Sequence, residues 1–264
     1  GGCYAKTYKL SSYHEPEIFK ASNRFGSLLE NVILEHETRQ PIFDNRTLTE
    51  NGRSSYPLSA LDFIVESGKG NIPKNFFFLS ADAKGVLPLI GKLDHEQALF
   101  YFLLGYTAKV AGTEMGPKDI TATFSHCFGA PFMLRNPLEY AALLKKMIQR
   151  YSINVWLVNT GWFGGVYGVG KRYDLSLTRS CIDAIQKGEG DQTTFTKDTV
   201  FNISVPDSLS KVETQYLMPH LLWKNSKDYY STANELKEMF HHHYTKLTQG
   251  QGDAFFDKTY SGMH

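Results

Sequence analysis

An α/β fold is predicted by two features of this sequence. Short apolar runs of strand length recur along it, and between them lie longer segments of helical period with readable caps. Leu28–Leu34 is a short apolar-rich run, Asn75–Ser80 reads Asn-Phe-Phe-Phe-Leu-Ser, and Asn154–Asn159 reads Asn-Val-Trp-Leu-Val-Asn. All three suit strands inside a sheet. A helix is predicted after Asp94, which with Gln97 three residues on forms a capping box ahead of Leu99, Phe102, Leu103 and Tyr106. A second starts where Asn136 caps Pro137, and carries Leu144, Met147, Ile148 and Tyr151 at helical spacing. Two more are predicted over about residues 175–187, stopped by Gly188, and about 232–247.

Composition narrows the class of function. The chain has 264 residues, enough to bury a sizeable core, and 28 Lys+Arg against 27 Asp+Glu give a net charge of +1. Neither a basic excess nor a basic run supports a dedicated nucleic-acid or membrane-surface binder. No apolar run approaches the ~20 residues of a membrane span, so an intracellular, cytoplasmic protein is expected. Cys3, Cys127 and Cys181 lie at wide spacings without a CxxC pair, which argues for reduced thiols rather than disulfides or structural zinc. The start at Gly1-Gly2-Cys3, without Met, suggests that an amino-terminal half is missing.

Two Gly-rich segments, 112–122 and 160–171, are too organised for linkers and suit lids or ligand loops, whereas 188–199 reads as plain surface loop. Gly165 to Lys171 has the GxxxxGK spacing of a P-loop, but Arg172 stands where Ser or Thr must meet Mg²⁺. A nucleotide-contacting loop of another kind fits better, since Arg172 offers a planar face to a purine. Arg53, between Gly52 and Ser54, can be presented from a loop as a fork for phosphate or carboxylate. Tyr4 and Lys6 share one face if their segment is a strand, and such a lysine could neutralise a transferring phosphoryl group. His241, His242 and His243 point about 100° apart on a helix and cannot converge on one metal. His126 and Cys127, taken as extended neighbours, face opposite sides and make a poor nucleophile and base.

Taken in order, these and further motifs resemble one family. They include Gly1-Gly-Cys-Tyr-Ala-Lys6, Leu29-Glu30-Asn31-Val32, Thr49-Glu50-Asn51-Gly52-Arg53, Phe78-Leu79-Ser80-Ala81-Asp82-Ala83-Lys84-Gly85, Phe124-Ser125-His126-Cys127-Phe128-Gly129, Leu157-Val158-Asn159-Thr160-Gly161-Trp162 and Gly168-Val169-Gly170-Lys171-Arg172. The family is that of the ATP-dependent phosphoenolpyruvate carboxykinases, and the resemblance covers nearly the whole chain. It implies a mixed-sheet α/β domain, with residues 1–264 forming the carboxy-terminal, ATP-binding portion. The family's P-loop and metal ligands would lie outside it.

The resemblance also implies an activity and its residues. The family converts oxaloacetate and ATP to phosphoenolpyruvate, CO₂ and ADP in gluconeogenesis, with Mg²⁺ on the nucleotide and Mn²⁺ at the reaction centre. Lys6 and Arg53 match positions that hold the transferring phosphoryl group, with Arg53 also near the organic substrate, and Tyr4 lines the same cleft. Glu15, Arg53, Arg172, Tyr173 and Thr178 match nucleotide-contacting positions, Arg172 and Thr178 around the adenine. Gly1 matches a backbone carbonyl that binds Ca²⁺ in some members. Residues 111–124 match a mobile lid. Departures are Lys84, where an aromatic is common, Gly52 in place of a frequent Thr, and Met115 in the lid. The alternative is a non-catalytic nucleotide-binding fragment or a degenerate relative.

Overall fold

The computed structural model describes residues 2–49, 51–109 and 120–248, which form two compact units divided after residue 71. Gly1, Met115 and most of the expected lid lie outside the described residues. The first unit holds β1 (Gly2–Lys6), α1 (Pro16–Ser22), β2 (Leu28–Glu30), β3 (Ile33–Leu34), β4 (Pro41–Ile42) and β5 (Arg53–Pro57). Its main sheet is antiparallel in the order β1-β5-β2. Strand alternation sorts the side chains: Cys3, Ala5 and Tyr56 turn toward α1, where they meet Ala21, Ile18 and Ala60, and Tyr4, Lys6, Arg53 and Glu30 take the other face.

The second unit holds β6 (Asn75–Ser80), β7 (Ile90–Leu93), α2 (His95–Leu104), β8 (Tyr106–Lys109), β9 (Thr121–Phe124), α3 (Pro137–Tyr151), β10 (Asn154–Asn159), β11 (Trp162–Phe163), β12 (Lys171–Arg172), α4 (Leu175–Gln186), β13 (Phe195–Lys197), β14 (Ser204–Pro206), α5 (Thr214–Leu217) and α6 (Ser226–Thr248). Its five-stranded sheet runs β13-β14-β7-β10-β6, with β10 parallel to β6 and antiparallel to β7. The expected mixed-sheet α/β architecture is therefore present. β10 reads as a continuous apolar run because both its faces are covered. Val155 and Leu157 join a core with Leu99, Ile148, Phe240 and Tyr244 from α2, α3 and α6, while Trp156 and Val158 join Cys181, Ala184 and Ile185 from α4.

The predicted helix starts at Asp94 and Asn136 hold. The Asp94 side chain accepts from the Gln97 amide at 2.8 Å and Gln97 Oε1 accepts from the Asp94 amide at 3.1 Å, while Asn136 Oδ1 accepts from the Leu138 amide at 2.9 Å. Other expectations need correction. The 28–34 run is broken at Asn31, whose φ of 55° splits it into β2 and β3, and Leu28 is exposed rather than interior. β6 is an edge strand, with Leu79 54% exposed. Residues 188–199 are not plain loop, because Phe195–Lys197 pairs with β14. The last helix starts at Ser226, six residues before the apolar spacing marks it. Arg53 opens a strand instead of standing on a loop. His126 and Cys127 sit on a 3₁₀ turn with Cys127 at φ 56°, and burial pushes that thiol up to about 11, so it is a poor nucleophile for a reason other than strand alternation. No described helix is long and apolar enough to cross a membrane.

Replacing Asp94 with Ala leaves the Gln97 amide at the start of α2 without its partner; thermal unfolding should show a loss of about 1 kcal/mol, with Asp94→Asn largely sparing it.

Candidate functional site

In the first unit, pairing brings three of the expected residues together. Lys6 of β1 stands directly opposite Arg53 of β5, and Glu30 of β2 faces Arg53 from the other side. The Tyr4 hydroxyl donates to Glu30 Oε2 at 2.6 Å, and the Arg53 guanidinium lies 5.9 Å from the centre of the Tyr4 ring. The Glu30 hydrogen bond raises the Tyr4 pKa above its ordinary value, and Arg53 works against that rise. One solvent-facing patch thus carries two cations, a phenol and a carboxylate on rigid strands. Such a patch can take an anion between Lys6 and Arg53 while Glu30 tethers the Tyr4 hydroxyl. Glu15 lies elsewhere, as the residue that precedes α1, with Pro16 at the first helical position.

In the second unit, Arg172 sits on β12 opposite Trp162 of β11. Its guanidinium lies 5.3 Å from the Trp162 ring centre and its Nε donates to the Thr160 carbonyl at 3.1 Å. The head group is thereby tethered beside the indole and stays exposed, where a planar cation can meet an aromatic ligand. Tyr173 differs: its ring is buried against Phe163 at 4.7 Å and its amide donates to the Gly161 carbonyl at 2.9 Å. Any ligand contact by Tyr173 must come from its backbone. Thr178 is buried on α4.

The Gly165–Arg172 segment also shows why it is not a P-loop. A P-loop offers its backbone N–H groups to phosphates. Here Tyr167 N–H donates to the Ala83 carbonyl at 2.7 Å, and Val169 and Gly170 N–H groups donate to the Val166 carbonyl at 3.0 and 2.8 Å. Lys171 and Arg172 continue into a strand, not a helix. The segment rests on the turn at Gly85, which adopts φ 72°, and a Cβ there would stand 2.1 Å from the Gly165 carbonyl oxygen. Among the described residues, no group of three or more His, Cys, Asp or Glu could hold a metal ion.

Sequence reasoning left three participants without a role. Glu30 lies beside Arg53 through the pairing of β2 with β5, which no local pattern announces. Asp82 and Asn159 were signalled by being the polar members of apolar segments, Ala81-Asp82-Ala83 and Val158-Asn159.

Residues 1–215 match the sequence profile of the family described as phosphoenolpyruvate carboxykinase, in its ATP-type form. The chain belongs to that family. It is 50% identical over 254 residues to the phosphoenolpyruvate carboxykinase (ATP) of Azorhizobium caulinodans, covering 96% of this chain and 47% of that protein. It is 48% identical over 249 residues to the enzyme of the same name from Caldanaerobacter subterraneus subsp. tengcongensis, covering 94% and 48%. For the Alkaliphilus oremlandii protein the identity is 46% over 253 residues, covering 96% and 48%. The chain spans about half the length of the curated relatives it matches.

The two loops that meet at Gly85 leave no space for a side chain there. Gly85→Ala should cost about 2 kcal/mol or more, through its left-handed φ and the clash with a backbone oxygen. Gly168→Ala, also at positive φ (87°) but with nothing within 4 Å, should cost only about 1 kcal/mol. Denaturant midpoints of the two variants test the difference.

Proposed function

We propose that this chain supplies the phosphoryl-holding and adenine-binding parts of an ATP-dependent phosphoenolpyruvate carboxykinase, converting oxaloacetate and ATP to phosphoenolpyruvate, CO₂ and ADP. The observation that carries this reading, beside family membership, is the register that sets Lys6 opposite Arg53 on one exposed sheet face with Tyr4. Phosphoryl transfer asks little covalent chemistry of a protein and much positioning and charge neutralisation. Loss of CO₂ from oxaloacetate leaves its electron pair in an enolate. The enolate oxygen then bonds to the terminal phosphorus of ATP as the bridging P–O bond to ADP breaks. Lys6 and Arg53 would neutralise the group in flight, and Arg53 and Tyr4 would hold the organic substrate.

Arg172, the Tyr173 backbone, Thr178 and Glu15 are assigned to the nucleotide, with Arg172 and Thr178 at the adenine. Residues 1–264 together are read as the carboxy-terminal ATP-binding portion of that enzyme. A divalent metal belongs to the family's chemistry, Mg²⁺ with the nucleotide and Mn²⁺ at the reaction centre. The described residues do not fit as its ligands. A Ca²⁺ contact at the Gly1 carbonyl lies outside the described residues. A role in gluconeogenesis and a cytoplasmic location complete the proposal; the partners are small molecules.

Two substitutions separate the roles in an assay of the intact enzyme. Arg53→Ala should lower kcat by about 10²-fold or more, as loss of a transition-state charge contact does, and a near-normal kcat would refute the phosphoryl role. Arg172→Ala should raise the KM for ATP more than it lowers kcat. Unchanged nucleotide affinity in that variant counts against the adenine assignment.

A further inference from the structure

The Asp82 carboxylate is wholly buried, yet every one of its contacts is to a neutral donor. Oδ1 accepts from the Lys84 amide at 2.8 Å and from the Tyr106 hydroxyl at 2.7 Å, and Oδ2 accepts from the Val86 and Leu87 amides at 2.7 and 2.8 Å. These four bonds curl residues 82–87 into a turn around the side chain. The outside of that turn is what the 159–173 segment rests on. The Asp82 carbonyl accepts from the Trp162 amide at 2.8 Å and the Ala83 carbonyl from the Tyr167 amide at 2.7 Å. Asn159 Oδ1 accepts from both the Asp82 amide, at 3.0 Å, and the Gly161 amide, at 2.8 Å, while its Nδ2 donates to the Leu87 carbonyl at 3.1 Å. Gly161 lies so close that a Cβ there would stand 2.2 Å from the Asp82 nitrogen.

Trp162, held by the Asp82 carbonyl, is the residue that pairs with Arg172 and lies under its guanidinium, and Gly161 is the residue whose carbonyl holds the Tyr173 amide. We propose that Asp82 is a positioning residue for the base end of the nucleotide, its buried carboxylate shaping the turn on which the loop carrying Arg172 and Tyr173 is laid. This rests on the reading above that Arg172 and the Tyr173 backbone meet the nucleotide. Asp82 itself touches no ligand in this scheme. Its negative charge costs desolvation, and four short hydrogen bonds to one side chain offset that cost by fixing a turn that an uncharged residue would hold less well.

The test uses the intact chain with Mg·ADP as the probe, and hydrogen exchange of the amides of residues 160–173 as the second readout. Asp82→Asn turns one acceptor into a donor facing amide or hydroxyl hydrogens. Gly161→Ala pushes on the same junction from the other loop. Both should accelerate exchange at Trp162, Tyr167 and Tyr173 and weaken ADP binding by about tenfold, as small misplacements of positioning groups do. Tyr106→Phe, which removes one of the four bonds, should give a smaller change of the same kind. Ile148→Val, in the core on α3, serves as a control: it should lower the unfolding midpoint while leaving local exchange and ADP affinity unchanged. Faster local exchange with unaltered ADP affinity would overturn the positioning role, as would an affinity loss no larger than the control's. ADP binding that Arg172→Ala weakens and Asp82→Asn spares overturns only this inference. Failure of the unsubstituted chain to bind ADP, or indifference of binding to Arg172→Ala, overturns the nucleotide reading and this inference with it.

Discussion

A buried carboxylate can stay ionised only where backbone and hydroxyl donors close around it, and that requirement at Asp82 organises the loop end of the second unit. Burial pushes the Asp82 pKa up while the amides of Lys84, Val86 and Leu87 and the Tyr106 hydroxyl hold it down. Burial of the Tyr106 phenol, and then the Asp82 charge beside it, drive its pKa well above the ordinary value, which keeps it a donor. Four donors from a six-residue stretch and one neighbouring strand leave the 82–87 backbone a single way to run. Because that stretch then offers its carbonyls outward, the Gly-rich segment that follows β10 has its path set in turn.

The first unit solves a different problem with a simpler device. A three-stranded sheet with one face on a helix has to present its other face to solvent, and the two-residue period fills that face with whatever the alternate positions carry. Here those positions are Tyr4, Lys6, Arg53 and Glu30. Antiparallel register, not a shaped cavity, is what puts cation beside cation. Rigid strands are well suited to a group whose task is to hold charge in place, since a lysine or arginine on a loop would give up more freedom in reaching the same posture.

How much of this was legible in the sequence follows from how local each signal is. The Asp94 capping box, the Asn136 cap, the covered β10 strand and the shared face of Tyr4 and Lys6 depend on neighbours a few positions away, and they were readable. Which strand lies at the sheet edge depends on pairing across the chain, so the aromatic run of β6 looked like interior although its partner lies on one side only. Phe195–Lys197 carries too little apolar pattern to announce a strand and is recruited by β14. Asp82 and Asn159 were visible as residues but silent as to role, because their meaning lies in a junction between segments nearly eighty positions apart. Motif order supplied what periodicity could not: the resemblance carried the family, and the structure then showed the Arg172 side chain exposed and the Tyr173 side chain buried.

The turn at Gly85 also bears on how such a sequence can change over generations. The obstacle to a side chain at position 85 is the backbone oxygen of Gly165, and a backbone oxygen is present whatever residue occupies 165, so no partner substitution can make room. Compensation, the usual route by which packed pairs drift together, is closed there. One position earlier the situation is reversed. Lys84 reaches across to Glu235 of α6, where Nζ and Oε1 meet at 2.6 Å, and both side chains are long and free to be exchanged for others. Room for change at this turn therefore lies outward, toward α6, while its inward side is fixed by the backbone of the 165–172 segment.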